Sequence, residues 1–434
     1  MTRQRTRTIS TRRKSITATW TIGFIAVFWA AVSAAAGAPA GETCSACHTV
    51  AMSGAHAGVS CGSCHGAAGA PLSDPASGKH RASGCAGCHP RYAPVLDGPM
   101  ATRTAEIRFV ERTWGRHDAD FYGRNCGSCH VSGCRDCHRG SGHRIGRPAG
   151  DACLRCHKDY FVGQEFHGRA PREDHLRYQR GKAVDGVTYL KMRPDVHAEA
   201  GMSCADCHGM ESLAQGRKSS KGCADCHRPG KGPVEHRIQA HMRGLECYAC
   251  HSAWAAQEYG TFFLRFGSLN RAGAFQVRRN DGVYAKSAWL RRQDAPPLGK
   301  NREGKVSPIR PQFIAYFTDA GEVSGAAVEN RLLAAEWKAF FPHTVRRGVP
   351  RCEGCHESPA RFLLERPQDR IYDISRDGLG LASFWTQEGQ RVANGSFYDN
   401  AAFSRMSAKG PEYQRAYIER WRRWTESVEA SSGR

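Results

Sequence analysis

All 20 cysteines of this 434-residue chain fall into one pattern, Cys-x-x-Cys-His, repeated ten times. The thiol pairs are Cys44/Cys47, Cys61/Cys64, Cys85/Cys88, Cys126/Cys129, Cys134/Cys137, Cys153/Cys156, Cys204/Cys207, Cys223/Cys226, Cys247/Cys250 and Cys352/Cys355. The closing histidines are His48, His65, His89, His130, His138, His157, His208, His227, His251 and His356. Two thiols at this spacing share one helical turn, where both can add across the two vinyl groups of a single porphyrin. The next side chain then swings beneath the ring and offers its imidazole to the iron. Cys-x-x-Cys-His is the attachment signature of c-type haem. Zinc knuckles, thioredoxin-like redox pairs and disulfide frameworks also use paired cysteines, but none requires a histidine after every pair. The motifs therefore imply ten covalently attached c-type haems.

Ten further histidines remain: His56, His80, His117, His143, His167, His175, His197, His236, His241 and His343. Ten irons each need a sixth ligand, so the simplest expectation is bis-histidine ligation throughout. Such haems are six-coordinate, suited to electron transfer and closed to substrate. Nine of the ten spare histidines lie between residues 56 and 241, inside the motif-rich stretch. His56, His80 and His241 stand five, five and six residues before the next motif. A histidine that close can hardly bend to the distal face of its own haem, and is expected to ligate a neighbouring one. His117 and His175 lie in strongly charged runs; were either not a ligand, a methionine such as Met192 could cap a haem, or one iron would be open.

The N-terminus reads as an export signal. Arg3, Arg5, Arg7, Arg12, Arg13 and Lys14 precede an apolar run from Trp20 to Ala36, and Ala38-Pro39-Ala40 offers a small-x-small cleavage site. The alternative is an uncleaved inner-membrane anchor, for which the run is close to the minimum spanning length. Either way the expected location is the periplasm or another exported compartment. The six basic residues of this segment account for six of the formal +21, leaving +15. Ten haems with two propionates each would add roughly −10 when oxidised and −20 when reduced. The Lys and Arg excess is thus expected to partner propionates, and a nucleic-acid role is excluded.

Four regions are expected: a signal or anchor (1–40), a nine-haem electron-transfer domain (41–258), a haem-free aromatic insertion (259–345) and a C-terminal segment with the tenth haem and a terminal helix (346–434). A chain this rich in motifs must build its interior from porphyrin wrapped by short helices and loops. An internal repeat is visible: His56-Ala-Gly-Val-Ser-Cys61-Gly-Ser-Cys64-His65-Gly66 resembles His197-Ala-Glu-Ala-Gly-Met-Ser-Cys204-Ala-Asp-Cys207-His208-Gly209. Each is followed by Gly-Cys-Ala-x-Cys-His, at Cys85 and Cys223. Only three residues separate the motifs at Cys126 and Cys134, so their haems must lie nearly in contact. Within the insertion, 262–266 and 313–317 are expected as strands. Residues 274–277 and 283–286 are expected to pair as a hairpin around Asn280-Asp281-Gly282, and a helix is expected from Ala326 to Phe340. A terminal helix from Pro411 to Val428 would carry the stripe Tyr413, Tyr417, Trp421, Trp424 and Val428.

With these ten motifs the chain resembles the periplasmic multihaem cytochrome superfamily. That group includes small tetrahaem cytochromes, decahaem conduits of metal-reducing bacteria, and pentahaem and octahaem reductases of nitrogen and sulfur compounds. The resemblance covers residues 44–356. It implies a mainly α fold with little regular structure, wrapped around a haem array, here with a small β-containing insertion. It also implies electron transfer between a quinol-oxidising donor and a terminal reductase or outer-membrane conduit. The reductases commonly carry Cys-x-x-Cys-Lys at the active haem, which this chain lacks. An electron carrier is therefore the first expectation. A multihaem oxidoreductase acting on a nitrogen, sulfur or metalloid oxyanion at one open haem is the alternative, and a polymerising cytochrome a third.

Overall fold

The computed structural model describes residues 54–60, 63–64, 83–127, 131, 133–138, 145–157, 166–169, 180–184, 187–191, 195–216, 220–229, 233–265, 278–279, 284–322, 324–366, 387 and 389–432. The expected signal segment lies outside them.

Strands β1 (Phe166–Arg169), β2 (Arg180–Val184) and β3 (Val187–Lys191) form a small antiparallel sheet with β3 in the middle. A larger mixed sheet follows, built from β4 (Trp254–Arg265), β5 (Arg278–Arg279), β6 (Tyr284–Asp294), β7 (Leu298–Asn301), β8 (Val306–Asp319), β9 (Val328–Ala339) and β10 (Gly395–Ser396). It draws strands from beyond the expected insertion: β4 begins before residue 259, and β10 lies far downstream.

The centre of this sheet is β8, which pairs with β7 and β9 antiparallel and with β4 in parallel. Its aromatic and β-branched residues suit a pleated surface, and Ile309, Ile314, Ala315, Tyr316 and Phe317 are buried. Two prolines in a central strand would normally argue against one. Here a register shift between Pro311 and Phe313 absorbs the missing donor of Pro311. Residues 262–265 of the first expected strand fall in β4 and the second, 313–317, falls in β8. Strand β5 pairs with β6, Arg278 opposite Lys286; the expected strand 274–277, with residues 280–283, lies outside the described residues.

The expected helix from Ala326 to Phe340 is not formed; the segment is strand β9. Its Leu-Leu-Ala-Ala-Glu-Trp composition favours a helix locally, but tertiary packing decides. A helix would bury one face, whereas a strand supplies two. Leu332, Ala335 and Trp337 join Ile309, Ile314 and Tyr316 on one side. Leu333 and Ala334 join Phe313, Ala315 and Phe317 on the other. Full burial of each large side chain contributes about 1.5–3 kcal/mol, enough to override propensity.

The sheet positions the motifs at both of its ends. Phe109, Trp114 and Phe121, from the helical stretch ahead of the fourth motif, pack on Phe263, Tyr284 and Phe313 with ring centroids 4.7–5.1 Å apart. The Trp114 indole N–H donates to the Tyr316 carbonyl at 3.0 Å. Elsewhere Ala249 of the ninth motif packs with Leu298, Phe362, Tyr398 and Ala402, and Cys355 of the tenth lies against the same cluster. Backbone bonds hold the ninth motif from both sides: Glu246 N–H donates to Val306 O at 2.9 Å, and Arg346 N–H donates to His251 O at 3.1 Å.

The terminal helix runs Pro411–Ser432, past the expected end at Val428. Its first half docks on the body through Tyr413 and through Arg420, whose guanidinium lies 3.5 Å from the Glu235 carboxylate. Along the helix Ile418, Trp421, Trp424 and Val428 are 44–57 % exposed. Among the described residues, no helix is long and apolar enough to cross a membrane.

Candidate functional site

Each fully described motif closes one helical turn. The N–H of the closing histidine donates to the carbonyl of the first cysteine at 2.8–3.0 Å in the motifs of Cys85, Cys134, Cys153, Cys204, Cys223 and Cys352. In the ninth motif the helix itself spans Cys247–His251. Short turns serve this purpose, because the backbone needs only to bring two thiols and an imidazole to one side. Asp136, Asp206 and Asp225 reinforce three of them by accepting from the N–H that precedes the first cysteine, at 2.6–3.0 Å.

The imidazoles come in pairs. His56 faces His89 with 6.1 Å between ring centroids, and His197 faces His227 at 6.0 Å. His208 faces His343 at 6.3 Å, His236 faces His251 at 5.9 Å and His241 faces His356 at 6.1 Å. Every pair joins one closing histidine to one spare histidine. Two metal–imidazole bonds of about 2 Å, with about 1 Å from each nitrogen to its ring centre, separate two centroids by about 6 Å. Five pairs at 5.9–6.3 Å are thus spaced as two axial ligands of one iron.

The tautomers agree with that spacing. The Nδ1–H of His138 donates to Gly146 O at 3.0 Å, and that of His356 to Met406 O at 2.8 Å. The Nδ1–H of His251 points to Arg346 O at 3.5 Å, and that of His197 donates to the Asp195 carboxylate at 2.8 Å. A carbonyl can only accept, so the proton sits on Nδ1 and the Nε2 lone pair is left for a metal. Burial lowers the pKa of His208, His241 and His251, and brings His343 down to about 4, with the neighbouring His208 adding to the effect. Buried imidazoles are thereby held neutral, the form that ligates. His343 also adopts a left-handed backbone, φ 57°, a strained conformation for a non-glycine residue and one that concentrates at functional positions.

Among the described residues no group of three or more His, Cys, Asp or Glu side chains is arranged to hold a metal ion. A porphyrin supplies four nitrogens of its own and asks the protein for two, the number each pair provides. A continuous cavity of about 3180 Å³ runs past the fifth to tenth motifs, and Cys126 of the fourth opens onto it. Ordinary small-molecule pockets occupy about 300–1,000 Å³, so this space suits several large planar groups.

Five of the described motif thiols, those of Cys88, Cys156, Cys223, Cys226 and Cys247, are exposed. Cys88, read from the sequence as an attachment cysteine of the third haem, is exposed and does not line this cavity. Its turn sits at the surface because the segment that follows, Pro90–Leu96, buries only Val95. Cys85 of the same pair is half-buried, so the third motif offers one sheltered sulfur and one open to solvent.

Sequence position did not reveal the pairing. His56, His197, His241 and His343 each skip the motif that follows them; only His236 faces the next one. The internal repeat is carried into the ligation pattern. His56, ahead of the motif at Cys61, faces the histidine of the motif at Cys85; His197, ahead of Cys204, faces that of Cys223. His117 stands differently, stacked on Phe317 at 4.7 Å, and no closing histidine faces it among the described residues. Burial, then Arg331, lowers its pKa. Cys44, Cys47, His48, Cys61, His65, His80, Cys129, His130, His143, His175, Met192 and the side chain of His167 lie outside the described residues. Asp195, whose carboxylate orients His197 and accepts from Val345 N–H at 2.6 Å, was not singled out from sequence; its place two residues before a spare histidine was the available signal.

No protein-family model matches the chain, and neither a curated protein nor a solved structure matches it.

Proposed function

We propose that this chain is a decahaem c-type cytochrome that passes electrons between closely spaced bis-histidine haems outside the cytoplasm. The observation that carries the reading is the set of five imidazole pairs, each joining a motif histidine to a spare one at iron-spanning distance. Haem supplies a one-electron couple, and the chain's own residues hold and tune it. The thiols fix each ring by thioether bonds, the paired imidazoles close both faces, and Asp195 and the carbonyls at Gly146, Arg346 and Met406 set the basicity of their imidazoles. A haem held between such a pair would have both faces closed by imidazole, which would leave substrate no route to its iron at these five sites. Electron transfer therefore ranks above oxyanion reduction, and redox proteins rank as the partners. The basic and apolar N-terminal segment supports export to the periplasm, where haem attachment takes place.

Mass spectrometry and the pyridine haemochrome spectrum test the haem content: ten haems per chain are expected, and a lower count rejects the decahaem reading. Carbon monoxide tests closure. The reduced protein should show no change at any of these five haems, whereas a shift worth more than five haems in ten rejects bis-histidine ligation at these pairs.

A further inference from the structure

We propose that the exposed part of the C-terminal helix, Pro411–Ser432, pairs antiparallel with the same helix of a second copy of this chain, across a twofold axis. The inference goes beyond electron transfer and does not rest on it.

Residues 421–432 are all exposed, so about three turns of the helix stand clear of the body. Among the described residues, every exposed large apolar side chain except Met202 lies on this helix: Ile418, Trp421, Trp424 and Val428. At about 100° per residue these four share a face roughly 120° wide. A short helix whose apolar face meets water is marginal, because helical stability comes mostly from packing that face. About half of each of these four side chains is in water. An aromatic side chain carries about 150–250 Å², which leaves roughly 100 Å² apiece to bury. Two copies, with the stems of the flanking arginines, reach the roughly 1,000 Å² expected of a specific interface.

Charge selects the occupant. One edge of the apolar face carries Arg415, Arg422, Glu426 and Glu429, two cations followed by two anions. All four are exposed, and among the described residues none of them forms an ion pair. Around the helix they lie opposite Tyr413 and Arg420, the side chains that dock on the chain's own body. A twofold axis perpendicular to two antiparallel helices sets the same edge of both copies side by side, with its direction reversed. The cationic half of each row then meets the anionic half of the other. Centred on Trp421 and Trp424, the pairing brings Arg422 of one copy beside Glu426 of the other, and Arg415 beside Glu429. Symmetry makes each contact twice.

Other arrangements use these residues less completely. In a parallel pair the charged row would face the other edge of the helix, where Arg420 and Ser427 offer no complementary order. An anionic lipid surface selects helices whose polar face is rich in Lys and Arg. Residues 421–432 set Arg422 and Arg423 against Glu426 and Glu429 and so carry no net charge, with Glu429 bordering the apolar face. Such a surface would repel that carboxylate, whereas a second copy supplies a guanidinium for it.

Sedimentation equilibrium of the full chain tests the pairing, with circular dichroism confirming that each variant keeps the parent fold. The unaltered protein should be a dimer, and Trp421→Ser/Trp424→Ser a monomer. Arg422→Glu sets like charges together at two symmetric contacts and should weaken the dimer about tenfold or more. Arg422→Glu/Glu426→Arg reverses the row in both copies and should restore the parent affinity. These four side chains are exposed, so none of the changes removes a core contact. A monomeric parent, or a dimer that survives loss of both tryptophans, overturns the proposal. Failure of the double charge reversal to restore affinity overturns the antiparallel arrangement. Flotation with vesicles of phosphatidylglycerol and phosphatidylethanolamine separates the other occupant: the dimer should stay in solution, and a parent chain that floats as a monomer assigns the face to lipid and overturns the dimer.

Discussion

His241 and His356 face each other at 6.1 Å, although His241 belongs to the helix that introduces the ninth motif and His356 closes the tenth. Two consecutive short helices thus present an imidazole to one site and a thiol pair to the next. His343 does the same in reverse: it faces His208, while Arg346, just after it, binds the backbone of His251. Shared elements of this kind hold neighbouring sites at fixed separation, which electron transfer requires and which a single-site enzyme does not.

Replacing His241 with Ala should leave all ten haems attached and open one iron. The reduced variant is expected to bind carbon monoxide at one haem in ten, with a matching high-spin signal in the ferric state. An unchanged spectrum would show that His241 is not an axial ligand. The same experiment on His56 and His197 should give one open haem each, since the internal repeat places them in equivalent roles.

Asp195 offers a test of tuning. Its carboxylate accepts from both the N–H and the Nδ1–H of His197 and from Val345 N–H. A carboxylate partner makes an imidazole a stronger donor and favours ferric iron. Asp195→Asn should therefore raise the potential of one haem. A one-electron couple moves about 59 mV for each tenfold change in relative affinity, so a shift of tens of millivolts is expected in protein-film voltammetry. A negative shift would contradict the argument.

The sequence displayed the chemistry more clearly than the architecture. Motif spacing alone announces each helical turn, because a five-residue unit is local, and the turns at Cys85, Cys204 and Cys352 follow. Pairing is not local. Nothing near His241 names His356, and the rule that close histidines skip their own motif narrows the choice without making it. Enclosure is not local either: Cys88 and Cys250 occupy the same place in their motifs, yet only Cys250 has a packed body above it. Segment 328–339 shows the opposite failure: Leu332, Leu333 and Trp337 favour a helix by propensity, but β8 already offers an unpaired edge with apolar residues on both faces. The docked and exposed halves of the terminal helix likewise share one stripe, and only the body beneath Tyr413 distinguishes them.

The sheet should be separable from the haem sites. Trp337 and Tyr316 are fully buried in it, and neither belongs to an imidazole pair. Trp337→Ala should cost about 3–5 kcal/mol by leaving a cavity. Denaturant unfolding followed by circular dichroism should register that loss, while haem count and carbon monoxide response stay as in the parent. A change in axial ligation would mean that the sheet shapes the sites directly.

Truncation before Pro411 tests the cover over the tenth site. The lost helix carries Tyr413 against His356 and Arg420 against Cys352 and Glu235. Its removal admits water to one haem edge and takes away a cation. A bis-histidine ferric core bears one net positive charge, so water stabilises the ferric state and lowers the potential. Loss of the nearby guanidinium acts in the same direction: a positive charge favours the reduced, less positive iron, so removing it also lowers the potential. Both effects predict a negative shift at one haem, with ten haems still attached. Voltammetry of the truncated chain should show one wave displaced to lower potential, and an unmoved set of waves would place the tenth haem elsewhere.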